Sequence, residues 1–473
     1  MLSSLFPWLL AQIPLAPIPI PVTPPPILAP VPPPAMEGVP QEIRVSQPVR
    51  PLPGGLDQIP VLNSNNPELI FNEGIILSTF PSIGMGSPYA HLNYAFRGRF
   101  DVFAHHVVQA SPEGRTLYLA ILLFNDGKGP AQVDILQGAS SLTSPDALFI
   151  DLPPQVENPQ GSLFSGPGSR VTGDVLRGKR YPAFPPQISI PPGQSYLLIN
   201  QPLPVNYRPD PAVPPPLKLP RNGFSGYWRL QTNQPLFGAS LAMYAPRDSG
   251  GQERPPTLAE WQTLLQTSAL MTPRDRIPRN SQRRIYSRVA GVSQGSVWRA
   301  TLADAGSQQL RIPGPGQAFS YPISTLEGGR LGTGQNQSAP MLKRYPDTAY
   351  ESHGNYGVQY SLNLPLYNPT SRPQRVSLSI ETPLKFNDPA PELRFLEPTA
   401  KNVHFRGTVQ FRYADDQKTP QNRYFHLVQR RGQRGEDLIT LTLQPGETRA
   451  VQVDLLYPPD ATPPQLLTVR SAL

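Results

Sequence analysis

The chain has 473 residues, with 64 prolines, no cysteine, and 41 basic against 33 acidic side chains for a net charge of +8. Proline at about one residue in seven, against a usual ~5%, breaks helices and is confined to edges, turns and extended segments of sheets, so a helical bundle is excluded. The absence of cysteine excludes thiol catalysis, disulfides and thiolate-bound metals, and leaves the compartment open.

The charged fraction is 16%, below the usual ~25%, so charge does not keep this chain unfolded. Of the basic residues 34 are arginine and seven lysine. Arginine pairs with planar anions and stacks, which points to phosphates and carboxylates of an envelope as partners. Nucleic acid is not an expected partner: the arginines are dispersed, and neither zinc-ligand spacing nor an aromatic-basic RNA motif is present.

The first 12 residues, "MLSSLFPWLLAQ", resemble a short secretory signal without a basic start. The run is too short to span a bilayer, which takes about 20 apolar residues, and no transmembrane span is expected elsewhere. Residues 13–40, including "PLAPIPIPVTPPPILAPVPPP", carry proline at more than half the positions of that tract and read as a polyproline II spacer. An exported protein, periplasmic or held at the cell envelope, is the expectation.

From residue 41 the chain reads as β structure. "TLYLAILLFNDGKGPAQVDIL" (residues 116–136) is apolar run, turn and apolar run, a hairpin signature, and "QISIPPGQSYLLI" (residues 187–199) repeats the form. "VQYSLNLPL" alternates Val358, Tyr360, Leu362, Leu364 and Leu366 with other residues, the period of a strand with one buried face. The return through Val376, Leu378 and Ile380 follows "YNPTSRP", and Ile439, Leu441 and Leu443 lead through "QPGET" to Val451, Val453 and Leu455. The halves share an order of features: a strand ending in Asn125 or Asn368, then "PPGQS" or "QPGET", with "HLNY" (residues 91–94) answered by "HGNY" (residues 353–356). The expected fold is mostly β, with two tandem β-sandwich domains, Ig-like or jelly-roll-like, at residues 41–250 and 286–473. One connecting helix and an arginine-rich linker fill residues 251–285. Thr257 and Glu260 make a capping box there, ahead of Leu258, Trp261, Leu264 and Leu265 on one face.

Few residues offer chemistry. His105 and His106 are adjacent on a strand and point to opposite faces, and Asp101 lies about 13 Å from His105 by strand rise. Neither pair can ligate one ion at about 2 Å, so no metal site is assigned. Ser293 centres "GVSQG", a G-x-S-x-G pattern. Its flanks read as strands rather than the strand-to-helix elbow a nucleophile needs, so it reads as a hairpin turn. Glycine-rich "SGPGSR" (residues 165–170) and "LGTGQ" (residues 331–335) lack phosphate-loop spacing. The repeated motif supplies the candidate binding residues: His91, Asn93 and Tyr94, and His353, Asn355 and Tyr356. Each His and Asn share a face when extended and can meet a sugar hydroxyl. The other role open to them is a buried hydrogen-bonded corner, since buried polar groups need partners in any fold. No catalytic residues and no cofactor are expected.

"AHLNYAFRGRFDVFAHH", "FIDLPPQVENPQGSLFSGPGSR", "PTLAEWQ", "RVAGVSQGSVWRATL", "SAPMLKRYPDTAYESHGNYGVQYSLNLPLYNPT" and "VDLLYPPDATPPQLLTV" resemble the cyanobacterial domain-of-unknown-function 3370 family, over nearly everything from about residue 41 to the end. That resemblance implies an exported cyanobacterial envelope protein, and implies no activity or catalytic residues. The function expected is therefore a non-enzymatic structural or glycan-binding protein, its partners envelope glycans, peptidoglycan or another envelope protein. Two alternatives stand beside it. One is a glycoside hydrolase-like enzyme with carboxylates about 5–10 Å apart, for which Asp146 with Asp151, Asp415 with Asp416, and Glu436 with Asp437 are the candidate pairs. The other is a subunit of a surface assembly that pairs through strand edges.

Overall fold

In the computed structural model, residues 38–111, 113–210, 218–277, 288–389 and 392–472 are described. The signal-like segment, nearly all of the proline tract and most of the arginine-rich stretch lie outside them. The described chain is mostly β, in several sheets, with two α-helices. None of its helices is long and apolar enough to cross a membrane.

The alternating segments are strands, as their period requires. In Gln359–Tyr367 every second side chain is buried, Tyr360, Leu362, Leu364 and Leu366 pointing inward. Each such leucine contributes ~1.5–3 kcal/mol on leaving water. The turns between strands are another matter. Leu117–Asn125 and Ala131–Leu142 flank "DGKGP" but do not pair with each other. The first pairs with Ser195–Leu203 and the second with Gln187–Ile190. The expected hairpins at residues 116–136 and 187–199 are therefore arches, in which the chain leaves one layer and enters the facing one. Asn125 is the physical reason. Its Nδ2 donates to the carbonyls of Gly129 (2.9 Å) and Ile190 (2.8 Å), and its Oδ1 accepts the Gly127 amide at 2.8 Å. One buried side chain thus ties two arches together and meets the hydrogen-bonding needs that a hairpin ladder would have met.

The later half contains the same knot. Asn368 Nδ2 donates to the carbonyls of Arg372 (2.8 Å) and Leu443 (2.9 Å), and Oδ1 accepts the Thr370 amide at 3.0 Å. The backbones agree as well: Gly193 N–H bonds Asn125 O and Gly446 N–H bonds Asn368 O, at 2.9 and 3.0 Å. These two glycines sit at φ 70° and 72°, in the left-handed region that glycine enters at no steric cost. Register follows suit: Ile190 pairs Ala131, and Leu443 pairs Gln374.

Two large apolar clusters result. The first is built on a 12-stranded sheet folded over along the 24-residue strand Arg221–Tyr244. Its early part pairs with Phe96–Gln109 and Ala131–Leu142, its later part with Leu117–Asn125 and Gly74–Ser78, and the register breaks between Thr232 and Leu236. Phe100, Ile121, Leu123, Trp228 and Leu241 fill the space between. The second cluster joins side chains of an eight-stranded sheet, such as Tyr360, Leu364 and Val453, to those of a four-stranded sheet, such as Leu378 and Val469.

The leading segment is a strap on the later half. Gln41–Ser46 pairs with Glu392–Glu397, Leu52 is buried in the second cluster, and Gly55–Leu56 pairs beside Trp298. Pro60–Ser64 then joins Ala290–Gln294 to Phe96–Gln109. Pro40–Leu473 consequently forms one compact unit. Helix α2, Leu258–Thr267, carries the expected box: Thr257 N–H bonds Glu260 Oε2 (2.8 Å), and Trp261, Leu264 and Leu265 are buried. Helix α1, Pro167–Leu176, is new relative to the sequence expectation, which has a glycine-rich loop there. It packs against Ala131–Leu142 and Arg221–Tyr244 of the first half and Val403–Ala414 and Thr448–Leu456 of the second. A methyl group on Gly168 would lie 2.3 Å from Pro459 Cγ, so the close approach requires glycine.

Candidate functional site

Where segments of both halves meet, a cleft of about 400 Å³ opens. Asn65 and Glu68 reach it from the leading segment, Phe149 from the loop before α1, and His353 and Tyr356 from the second "HxNY" motif. Arg406 comes from Val403–Ala414 and Asp460 from the proline-flanked "YPPDATPP".

Glu68 forms the ionised floor. Arg288 makes an ion pair with it, and His105 Nε2 stands 3.7 Å from Oε1. Burial works to raise this carboxyl, but His105 and Arg288 prevail and hold it at about 2. Asp460 behaves oppositely: burial raises it against the pull of His105, the Ser169 amide and Arg406. It is only 8% exposed, and its Oδ2 accepts the Ser169 N–H in the first turn of α1 at 2.8 Å. Its Oδ1 has no hydrogen-bond partner among the described residues.

Arg406 lines the same cleft, with its guanidinium 4.0 Å above the Phe149 ring. Its Nε is likewise buried without a partner, and burial lowers its pKa. Leaving a buried donor or acceptor unmade costs about 1–3 kcal/mol. Two lining residues of one cleft each thus hold an unmade hydrogen bond, one as donor and one as acceptor, a pairing that a hydroxyl-bearing ligand can satisfy. Phe149, 47% exposed, adds an apolar face at the same place.

The structure separates the six candidate residues. His353 and Tyr356 line the cleft, and Tyr356 donates to Ala461 O at 3.0 Å and stacks on Tyr457. Burial raises the Tyr356 phenol to about 12, so it stays neutral. Asn355 lies behind them, 1% exposed, bonded to the Ala339 amide, Gln337 O and the Tyr360 hydroxyl. His91, Asn93 and Tyr94 do not reach the cleft. His91 Nδ1 bonds Ser78 Oγ at 2.8 Å, and Tyr94 packs edge-on against Phe96. Asn93 and Asn355 share a left-handed backbone, φ 50° and 49°, so the echo marks two corners of one shape.

The paired histidines occupy opposite faces of Phe96–Gln109. His105 bonds Ser225 Oγ through Nδ1 at 2.7 Å, while His106 bonds Ser64 Oγ (3.0 Å) and Pro67 O (2.8 Å). Burial lowers His106 to about 4. Asp101 is buried apart from both, accepting from Arg99 and Ser296 and lying 2.6 Å from the Tyr227 hydroxyl. Among the described residues no group of three or more His, Asp or Glu can hold a metal.

Ser293 corrects one expectation: it lies within the strand Ala290–Gln294, not in a turn, and its Oγ accepts from Asn63 Nδ2 at 3.3 Å. The proposed carboxylate pairs serve local structure. Asp146 sits at φ 64° and bonds the Arg221 amide, Asp415 bonds the amides of Gln417 and Thr419, and Asp416 pairs with Arg449. Asp437 pairs with Arg470 at 3.1 Å. Sequence reasoning missed Glu68, Arg406 and Asp460, of which Glu68 lies more than 300 positions from the other two. The prolines bracketing Asp460 were the available signal, since they fix a loop that presents one carboxylate.

A mostly β protein with a charged inter-layer cleft is the class these observations define. Residues 47–471 match the family described as Protein of unknown function (DUF3370), and the chain belongs to it. No curated protein matches. Among solved structures, the crystal structure of the coconut allergen cocosin is similar at 11% identity, covering 80% of this chain and 84% of that one, with a TM-score of 0.08. That likeness carries no argument about fold or function.

Proposed function

We propose that this chain is an exported, non-enzymatic protein of the cyanobacterial cell envelope, periplasmic in setting, built of two tandem β-sandwich modules, that binds a glycan in the cleft between them. The observation that carries the reading is one cleft whose lining includes two residues with an unpartnered buried polar atom, Asp460 (Oδ1) and Arg406 (Nε), beside the exposed Phe149 ring. Sugar recognition uses few convergent polar groups and an apolar face in a concave site. The matched Asn125 and Asn368 knots support the modular part of the reading. The experiment is retention on peptidoglycan and on a glycan array at low and high salt, with Arg406→Gln and Asp460→Asn beside the wild type. Retention without turnover, lost in both variants, is the expected result; retention unchanged in both would refute the cleft.

One observation favours a hydrolytic second reading: Glu68 and Asp460 are carboxyls of one cleft whose pKa values are driven apart, the arrangement of an acid–base pair. Against it, Arg288 and His105 already hold Glu68, leaving little basicity for water activation. Release of reducing ends from a bound glycan, abolished in Asp460→Asn, would install the enzyme instead.

A further inference from the structure

Lys385 borders the cleft and also a second, smaller hollow of about 270 Å³, to which His404, Arg394, Arg431 and Glu42 contribute. The charges there do not balance. Glu42 is already engaged, 3.4 Å from Arg44 and 3.8 Å from Arg394. Lys385, His404 and Arg431 make no ion pair with any described residue. Like charges gathered in a partly desolvated hollow raise one another's energy. Burial, with Lys385 and Arg431 beside it, lowers His404 to about 4, and burial followed by Arg431 lowers Lys385. Among the described residues that line it, the hollow thus holds an ammonium, two guanidinium groups and a neutral imidazole, with the occupied Glu42 as its one acid.

An oxyanion answers each of these groups at once, since guanidinium meets carboxylate, sulfate and phosphate through two parallel hydrogen bonds. We infer that this hollow is an anion subsite contiguous with the cleft, and that the glycan seated beside Arg406 and Asp460 carries an oxyanion substituent placed against Lys385 and Arg431. The inference rests on the cleft being a glycan site. It narrows the ligand class from sugars in general to acidic sugars.

Titration calorimetry of the full chain with trigalacturonate, its fully methyl-esterified form and a sulfated trisaccharide is the test. The expected result is binding of at least one anionic probe at least tenfold tighter than the ester, with K385Q/R431Q erasing that margin while unfolding at the wild-type temperature or above. The probe that gains the margin identifies carboxylate or sulfate as the substituent. Equal affinity for acid and ester, lost in R406Q, overturns the anion subsite and leaves the cleft standing. No affinity for any of the three probes contradicts both.

Discussion

The two asparagine knots invite comparison because they share the same three side-chain hydrogen bonds and differ in what surrounds them. Asn125 sits where one folded-over sheet doubles back, and Asn368 where two separate sheets face each other. The same three side-chain hydrogen bonds and the same glycine turn serve both. The lesson is that the local corner is specified by the sequence, while sheet closure around it is decided by remote strands. The halves diverge where they meet: α1 and the strap exist once each, and so does the cleft.

The comparison can be broken most directly at the asparagines. Replacing Asn125 by alanine removes the side-chain partner of two carbonyls and an amide, for an expected cost of about 3 kcal/mol in denaturant unfolding, and the same change at Asn368 should cost about 2 kcal/mol. The Asn125 variant should suffer more, because Thr370 Oγ1 independently reaches Arg372 O at 2.8 Å beside Asn368. An effect under 1 kcal/mol at both sites would show the knots to be incidental.

Gly168→Ala comes next. It drives a methyl into Pro459 and toward Asp460 Oδ1, which would be 3.0 Å away, for an expected loss of about 2 kcal/mol by overpacking together with weakened glycan retention. Stability lost with retention intact would separate α1 from the site.

Acidification is the third probe. His106, His404 and His426 have folded pKa values lowered to about 4 by burial, so the unfolded chain binds more protons between pH 6.5 and 4. Stability is therefore full above pH 6.5 and falls as pH drops toward 4. His106, fully buried, accounts for on the order of 3 kcal/mol of that loss. His106→Gln should reduce the slope by about one proton in pH-dependent urea titrations, and an unchanged slope would contradict its neutral burial. Glu68 adds a loss at lower pH, between about 4.5 and 2, because its folded value is also depressed.

The smallest expected effect sharpens the likeness. Gly193 and Gly446 have open space where a methyl would go, so alanine at each should cost only the left-handed backbone penalty, about 1 kcal/mol. Costs that agree within ~0.5 kcal/mol would support one corner used twice; a twofold disparity would separate them.

Much of this was legible in the chain. Strand positions followed from period-two burial in stretches such as Gln359–Tyr367, and α2 from the Thr257–Glu260 box. What was not legible was pairing. An apolar run, a turn and a second run look the same in a hairpin and an arch, and only the partner strands, 111 to 127 residues away in the case of Leu117–Asn125 with Arg221–Tyr244 (Asn125 with Leu236, Leu117 with Tyr244), decide between them. Helix α1 was hidden by Gly166, Gly168 and Gly173, poor helix formers retained because Asp460, Pro459 and Thr408 press against them. Of the cleft's lining, His353 and Tyr356 stood out through repetition, whereas Arg406 and Asp460 gained meaning only when the fold brought them to one cleft with a polar atom of each unpaired.

Hydrogen exchange of the chain with and without a peptidoglycan glycan fragment bears most directly on the central claim. The account predicts new protection in the amides of residues 352–354, 356, 403, 406 and 460–462, which line the cleft, with none around residues 91–94. Binding with protection confined to other surfaces, or spread equally over both "HxNY" corners, would contradict it.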